Sequence, residues 1–578
     1  MIGRIVLVVA LAVATLRLVI IQTVQAEALS EAATRQTTTR INLPAERGAI
    51  LDRAGTPLAF SVEARALVAN PREIARKKGD AAPAYVADMA AAVAEATGLD
   101  PATLLGLLTA DRTYVVLAKV VDPETARRLR ERFPDIAEEY REDRQYPAGP
   151  LAANVVGVAS WDAETERLAG RVGLESSMDN MLEGSSGLRV VDTARESNAV
   201  IPGSLRFERP AVPGATTELT LDSDLQYTVQ QALNDTVTRS GAKADSSVVV
   251  LDAATSEVLA LATGQAFDPR DPSAATMEQM ANPAVSSPFE PGSVNKVVTM
   301  AAALEYGLAE PEDVLSVPGS IKIADRTVSD AWSHGVERYT LTGVLAKSSN
   351  VGTLMTAQKV GEERFAEMLA RFGVGARTEV GLPGESAGRV PPRETWSGST
   401  FGNLPIGQGL SMTVLQMAGM YQAVANGGVR IPPRIVASTT GPDGILVPTP
   451  RPAGVQVVSS ETAAQLRTML SAVTQDARGQ RGTGHEAAVP GYDVAGKTGT
   501  AQQVDPSCGC YASSTYWITF AGMFPAADPR YVIAIMLDAP GGGTSAAPLF
   551  HDIASYLAQR ERLPVSPDPA PVQTLVAR

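Results

Sequence analysis

The chain opens on an apolar run. Ile5 to Val24, IVLVVALAVATLRLVIIQTV, is twenty residues interrupted by a single charge, Arg17. At about 1.5 Å per residue such a helix reaches about 30 Å, the depth of a bilayer core. Arg17 costs about 2.5–3.5 kcal/mol near a membrane centre. The Ile, Leu and Val residues return roughly 4–8 kcal/mol, so insertion is favoured. Residues 1–26 are read as a cytoplasmic stub and transmembrane anchor, with Arg4 and no acid ahead of the segment placing the N-terminus on the cytoplasmic side. The alternative is a cleaved signal peptide processed at Val24-Gln25-Ala26; Arg17, atypical of an h-region, favours retention.

Beyond the anchor, polar residues 27–42 predict a stalk. Arg47 to Ala59 predicts two short strands about a turn at Ala54-Gly55. Residues 72–140 have a helical pattern, with one helix ending at Gly98, a second opening at Pro101 and a third running from Pro123 to about Phe133. Residues 144–215 are rich in Gly and Ser and predict irregular structure. Near residue 216 the texture changes. Leu219 to Asp222 predicts a short strand whose Asp222 caps a helix running to about Arg239. Ser247–Leu251 and Glu257–Ala262 predict a hairpin. Strands return late, at Tyr492–Ala495, Tyr516–Ala521 and Tyr531–Leu537, with helices between. Strands at both ends of a helical middle predict an α+β domain: one central antiparallel sheet, closed by sequence-distant strands and covered by helices. The expected layout is 27–215 as an elongated α+β pedestal, 216–562 as the main domain, and 563–578, with four prolines, as a disordered tail.

Of 578 residues, 50 are Lys or Arg and 63 are Asp or Glu, a net charge of -13. That balance argues against a nucleic-acid partner, which needs a basic face. Three histidines and two cysteines leave too few ligands for a zinc ribbon or iron–sulfur cluster, so chemistry without metal is expected.

Three short motifs carry candidate chemistry. Ser293-Val294-Asn295-Lys296 opens a predicted helix ending at Gly307, placing Ser293 and Lys296 on one face of its first turn. An unprotonated Lys can take a proton from the neighbouring hydroxyl, and the positive helix end disfavours a charged Lys while favouring an oxyanion. Ser348-Ser349-Asn350 lies between two helical stretches, either facing a cleft or capping the next helix. Lys497-Thr498-Gly499-Thr500 follows a strand to which an extended substrate could add, with Lys497 and Thr498 meeting a carboxylate; the other reading is an edge strand blunted by charge. Each motif is weak alone. The order Ser-x-x-Lys, Ser-x-Asn, Lys-Thr-Gly over one chain is specific.

With these motifs the chain resembles the penicillin-binding, serine acyl-transferase superfamily, shared with serine β-lactamases. Arg47 to Ala59, Tyr146-Pro147-Ala148-Gly149 and Gly173-Leu174-Glu175 resemble motifs of the non-catalytic domain of class B members. Phe289-Glu290-Pro291-Gly292-Ser293 and Gly407-Gln408-Gly409-Leu410 are typical of the class, and the text around Ser293 and Lys497 resembles division-type transpeptidases of actinobacteria. The resemblance implies a membrane-anchored peptidoglycan D,D-transpeptidase, with a β-lactamase or β-lactam sensor as the alternatives. It implies that Ser293 attacks the penultimate D-Ala of a stem peptide ending in D-Ala-D-Ala, Lys296 is the base, Ser348 relays a proton and Asn350 orients Lys296. Backbone N–H groups of Ser293 and Thr500 would form the oxyanion hole. Lys497, Thr498 and Thr500 would hold the terminal carboxylate, with Ser349 and Gly499 also in the substrate site. It implies no cofactor, covalent inhibition by β-lactams, and a membrane glycan polymerase and other division proteins as partners.

Arg47, Asp52, Arg53 and Glu175 are candidates for buried ion pairs that stiffen the pedestal, or for solvated surface pairs. Cys508 and Cys510 flank Gly509 in an exported segment, where paired cysteines tend to bridge. A ring this small needs a tight bend, so a disulfide and two free thiols both stand. His334, His485 and His551 are read as structural or exposed.

Overall fold

The computed structural model describes residues 2–23, 25, 38–194, 200–264, 266–505, 507–566 and 570–577. Helix α1, Ile2–Thr23, is long and apolar enough to cross a membrane, and none of its side chains is buried by the other described residues. The processing alternative at Val24-Gln25-Ala26 and most of the stalk lie outside the described residues. The end of the expected stalk is ordered: Thr38–Leu43 is a strand paired antiparallel with Gly187–Asp192.

The pedestal contains more strand than its sequence predicts. Helices Ala82–Thr97, Pro101–Leu108 and Pro123–Arg132 form where expected, the first ending at Gly98 in the left-handed conformation. Pro71–Lys78 is helical as well, but the helical expectation fails at Val115–Val121 and from Ile136 onward, which are strands. Strand β1, Pro57–Ala69, pairs antiparallel with β2, Val115–Val121, and with β3, Ile136–Gln145. Strand β3 reads IAEEYREDRQ, a poor strand former. It is held by ten residues of register against β1, where the Arg65 side chain reaches Glu138 and the Tyr140 ring, so tertiary pairing overrides local preference. The stretch read as irregular, 144–215, also holds regular elements, among them the antiparallel pair Val158–Asp162 and Arg167–Val172.

The pedestal motifs converge on one buried cluster. Arg47 Nε donates to Glu175 Oε2 at 2.7 Å and Arg144 Nε to Glu175 Oε1 at 2.7 Å. Tyr146 Oη accepts from the Ala159 N–H at 2.8 Å. Glu175 is wholly buried and bridges the two arginines, while Asp179 supplies Arg47 with a second carboxylate at 2.6 Å. The other two candidates, Asp52 and Arg53, take no part in this cluster. Asp52 is buried as a turn cap, accepting from the N–H groups of Ala54 and Thr56, and Arg53 is exposed.

Strand Thr216–Leu219 joins the two parts. It runs parallel to Ile50–Leu51 of the pedestal and antiparallel to Val436–Thr440 of the main domain. Asp222 then caps α2, Ser223–Ser240, as its sequence predicts. The main sheet is built from β4, Ser247–Asp252, and β5, Val258–Thr263, with three late strands: β6, Ala495–Asp505, β7, Cys510–Phe524, and β8, Tyr531–Ala539. Every neighbouring pair is antiparallel, in the order β5-β4-β8-β7-β6. The expected late strand at 492–495 begins instead at Ala495, which puts Lys497 to Thr500 inside edge strand β6 rather than after it.

Burial on both faces explains why SVVVL is a continuous apolar run instead of an alternating one. Val248 and Val250 face a core built with α2 and with α6, Ala547–Arg560. Val249 and Leu251 face a second core. That second core surrounds α5, Val414–Ala425, every residue of which is buried. Helices α3, Lys296–Glu305, and α4, Asn350–Val360, pack on each other and contribute to the same core.

The tail expected to be disordered is docked. Residues 570–577 run back over the main domain, and Leu575 is wholly buried against Ala346, Ala472 and Val473.

Candidate active site

Ser293 does not lie in the first α-helical turn. It sits in a 3₁₀ turn, Gly292–Asn295, that feeds α3. The sequence expectation that Ser293 and Lys296 share a face survives the change, because residues three apart eclipse one another in a 3₁₀ turn. The turn is pinned on several sides. The Asn295 side chain donates to Leu404 O at 2.9 Å, Tyr421 Oη donates to Val294 O at 3.0 Å, and Gly292 N donates to Gly407 O at 3.1 Å. The motif glycines Gly407 and Gly409 thus act from behind: Gly409 N–H donates to Glu290 three residues ahead of Ser293.

Lys296 is wholly buried. Its Nζ donates to Ser348 O and to Asn350 Oδ1, both at 2.7 Å, and lies 3.3 Å from Ser348 Oγ. A neutral amine has two hydrogens and one lone pair. The carbonyl and the amide oxygen accept both hydrogens, leaving the lone pair to receive a hydroxyl proton. Burial lowers the Lys296 pKa to about 7, against an opposing pull from the Asp330 carboxylate.

Ser348 has φ +61°, a left-handed conformation that costs a serine roughly 1–3 kcal/mol and is typical of functional sites. Ser349 does not line the cleft. It is wholly buried, caps α4 by accepting from Gly352 N–H at 2.9 Å, and donates to Asp330 Oδ2 at 2.8 Å. Its expected contact with substrate is therefore replaced by a scaffolding role.

Lys497 is also wholly buried, and burial, then the neighbouring Lys296, holds its pKa well below the ordinary value. Its Nζ donates to Thr498 O at 2.9 Å. Gly499 is required by close approach: a Cβ there would stand 2.2 Å from Thr519 Oγ1 and 2.8 Å from Pro291 O, so β6 could not pack on the Ser293 turn. A cleft of about 830 Å³ brings Ser293, Ser348, Asn350, Thr498, Gly499 and Thr500 together, with the two buried lysines beneath. The three motifs, far apart in sequence, share one site.

Sequence reasoning missed two contributors. Asp330 accepts from Ser349 Oγ and from the Val351 N–H at 3.0 Å, and His334 Nε2 lies 3.0 Å from it. It ties a separate loop to the start of α4 and so places Ser348 and Asn350. Thr483 Oγ1 lies 2.8 Å from Thr498 Oγ1 at the same cleft. No local pattern marked either; only the glycines at 482 and 484 hinted that Thr483 sits in a close-packed loop.

Cys508 and Cys510 are joined as a disulfide at the tip of the β6–β7 hairpin. The adjacent Tyr511 donates to Glu290 Oε2 at 3.1 Å, linking the tip to the Phe289-to-Ser293 segment. Among the described residues no cluster of three or more His, Cys, Asp or Glu is arranged to hold a metal ion.

The chain is similar to known proteins in sequence and in fold. Residues 246–555 match the model of the penicillin binding protein transpeptidase domain, and residues 42–219 match that of the penicillin-binding protein dimerisation domain. Penicillin-binding protein PbpB of Mycolicibacterium smegmatis is 51% identical over 604 residues, covering 100% of this chain and 92% of that protein. Peptidoglycan D,D-transpeptidase FtsI of Escherichia coli is 32% identical over 516 residues, covering 87% of this chain and 82% of that protein. The crystal structure of penicillin binding protein 3 from Mycobacterium tuberculosis complexed with ampicillin superposes with a TM-score of 0.74 at 48% identity, over 93% of this chain and 100% of that one.

Proposed function

The chain belongs to the penicillin-binding protein transpeptidase family, and we propose that it is a membrane-anchored, division-type D,D-transpeptidase that cross-links peptidoglycan stem peptides. The observation that carries this reading is the buried Lys296 amine, held by Ser348 O and Asn350 Oδ1 in the cleft that Ser293 and β6 share.

Ser293 Oγ attacks the carbonyl of the penultimate D-Ala while Lys296 takes its proton. The oxyanion that forms accepts from the backbone N–H groups of Ser293 and Thr500, a contribution of about 3–4 kcal/mol per donor in comparable sites. Ser348 passes the proton to the departing D-Ala amine. Thr498 and Thr500 hold the terminal carboxylate, whose arrival recharges Lys497 by offsetting its burial. The acyl group then moves from Ser293 to an amine of a second stem peptide. A β-lactam enters the same route because its strained amide carbonyl stands where the D-Ala-D-Ala bond would.

The N-terminus lies in the cytoplasm and the main domain outside, with residues 27–215 as a pedestal setting the height of the cleft above the membrane. Its Glu175-centred ion cluster and the shared strand at Thr216–Leu219 support a stiff spacer. The pedestal is the surface on which a membrane glycan polymerase and division proteins would dock.

Intact-mass spectrometry after incubation with a labelled penicillin tests the reading. One adduct per chain is expected, absent in Ser293→Ala at unchanged thermal stability. An adduct on another serine overturns it.

A further inference from the structure

The C-terminal tail is part of the cleft. Val576 lines it beside Tyr339, Glu337 and Arg481, and Tyr339 and Val576 pair as an antiparallel bridge. The docking is specific. Thr340 N–H donates to Leu575 O at 3.1 Å and Ala577 N–H to Arg338 O at 2.9 Å, so the tail lies antiparallel along the segment Glu337–Thr340. On its other side Gln480 stands in for a neighbouring strand. Its Oε1 accepts from the N–H groups of Leu575 at 2.6 Å and Val576 at 2.9 Å, and its Nε2 donates to Val576 O at 3.2 Å. Gln475 Oε1 does the same for Gln573 N–H at 2.7 Å. The receiving surface is shaped for the tail: a Cβ at Gly343 would lie 1.9 Å from Leu575 O. A peptide tied by this many backbone hydrogen bonds, with Leu575 wholly buried, is a fixed wall.

Its position relative to the motifs assigns a side. Thr483 touches Thr498, where the substrate carboxylate is placed, and Arg481 and Gly482 lead from Thr483 to the tail. The tail therefore lies past the carboxylate end. That is the end from which D-Ala departs and through which the acceptor amine must arrive. Resting on the transpeptidase reading above, we propose that residues 573–577 form the acceptor wall, with Val576 as a specificity-determining contact for the incoming stem peptide and the Glu337 carboxylate drawing in its ammonium group. In the transfer step the acceptor amine, once deprotonated, forms a new C–N bond to the acyl carbon. The bond from that carbon to Ser293 Oγ breaks, and Oγ takes up the proton that the amine loses.

The test separates a small acceptor from a stem-sized one. The full-length protein is acylated with a D-alanyl thioester, and the acyl-enzyme is partitioned between water, D-alanine, and a stem tetrapeptide bearing a free side-chain amine. D-alanine fits the vacated leaving-group site and does not reach Val576. Truncation from Gln573 is expected to lower transfer to the tetrapeptide about tenfold relative to D-alanine, and Val576→Ala about threefold. Acylation by benzylpenicillin should stay within about twofold. Val576→Ala keeps Leu575 in its socket, so its result stands even if the truncated chain folds poorly. An unchanged tetrapeptide-to-D-alanine ratio in Val576→Ala, or equal losses for both acceptors, overturns the proposal. Failure of the wild-type protein to be acylated at Ser293 would instead remove the reading on which it rests.

Discussion

The buried state of Lys296 makes a quantitative claim about pH. Its amine ordinarily titrates at 10.5, and burial brings this to about 7. The difference corresponds to about 5 kcal/mol against the charged form, at 1.36 kcal/mol per pKa unit. At pH 7 roughly half the chains then carry a neutral lysine. With an ordinary pKa only about one in three thousand would, so the environment of Lys296 raises the concentration of competent base about 10³-fold. The sign follows from the proposed mechanism, in which neutral Lys296 is the base: acylation of the free enzyme should rise with pH and level off above about 7. The assay is the second-order rate of Ser293 acylation by a fluorescent penicillin between pH 5 and 9, followed by stopped flow. The rate should climb about tenfold per pH unit at the acid end. Lys296→Arg, which keeps charge but has no accessible neutral form, should lose about 10²–10⁴-fold across the range. A rate already flat at pH 5, or one still climbing at pH 9, would refute the argument, as would near-wild-type acylation in Lys296→Arg.

Asp330→Asn removes the carboxylate that holds the Lys296 pKa up, so the acid limb of the same profile should move to lower pH; an upward move would contradict that electrostatic role. Glu175→Ala removes the carboxylate shared by Arg47 and Arg144, leaving Arg47 paired with Asp179 and Arg144 buried without its partner, and should cost about 3–5 kcal/mol in denaturant unfolding of the pedestal, with penicillin acylation of the folded protein little changed. Thiol labelling of the native, unreduced protein should be negligible and rise by two after reduction of Cys508 and Cys510; two readily labelled thiols before reduction would show that the pair is not bridged.

The three motifs that meet at the cleft were legible in sequence because they carry particular residue types at short, fixed spacings. Ser293 and Lys296 share a face whether the turn is α or 3₁₀, so even the misjudged local geometry left their relation intact. The N-terminal apolar helix was legible because a twenty-residue run with a single charge answers to length and composition alone, and the strand SVVVL because both of its faces are apolar. What only the tertiary structure decided lies in contacts between distant segments. Strand β3, rich in Glu and Arg, is a strand because β1 offers it a ladder and matching charges. Ser349 leaves the substrate site because Asp330, nineteen residues earlier, claims its hydroxyl. The proline-rich tail carries the composition of a disordered end. It is ordered because Ala346, Ala472 and Val473, brought together from two separate stretches of chain, make a socket for Leu575, and because Gln475 and Gln480 satisfy its backbone. Composition reports what a segment can bury by itself; here the groups that hold Leu575 belong to residues 95 to 235 positions away.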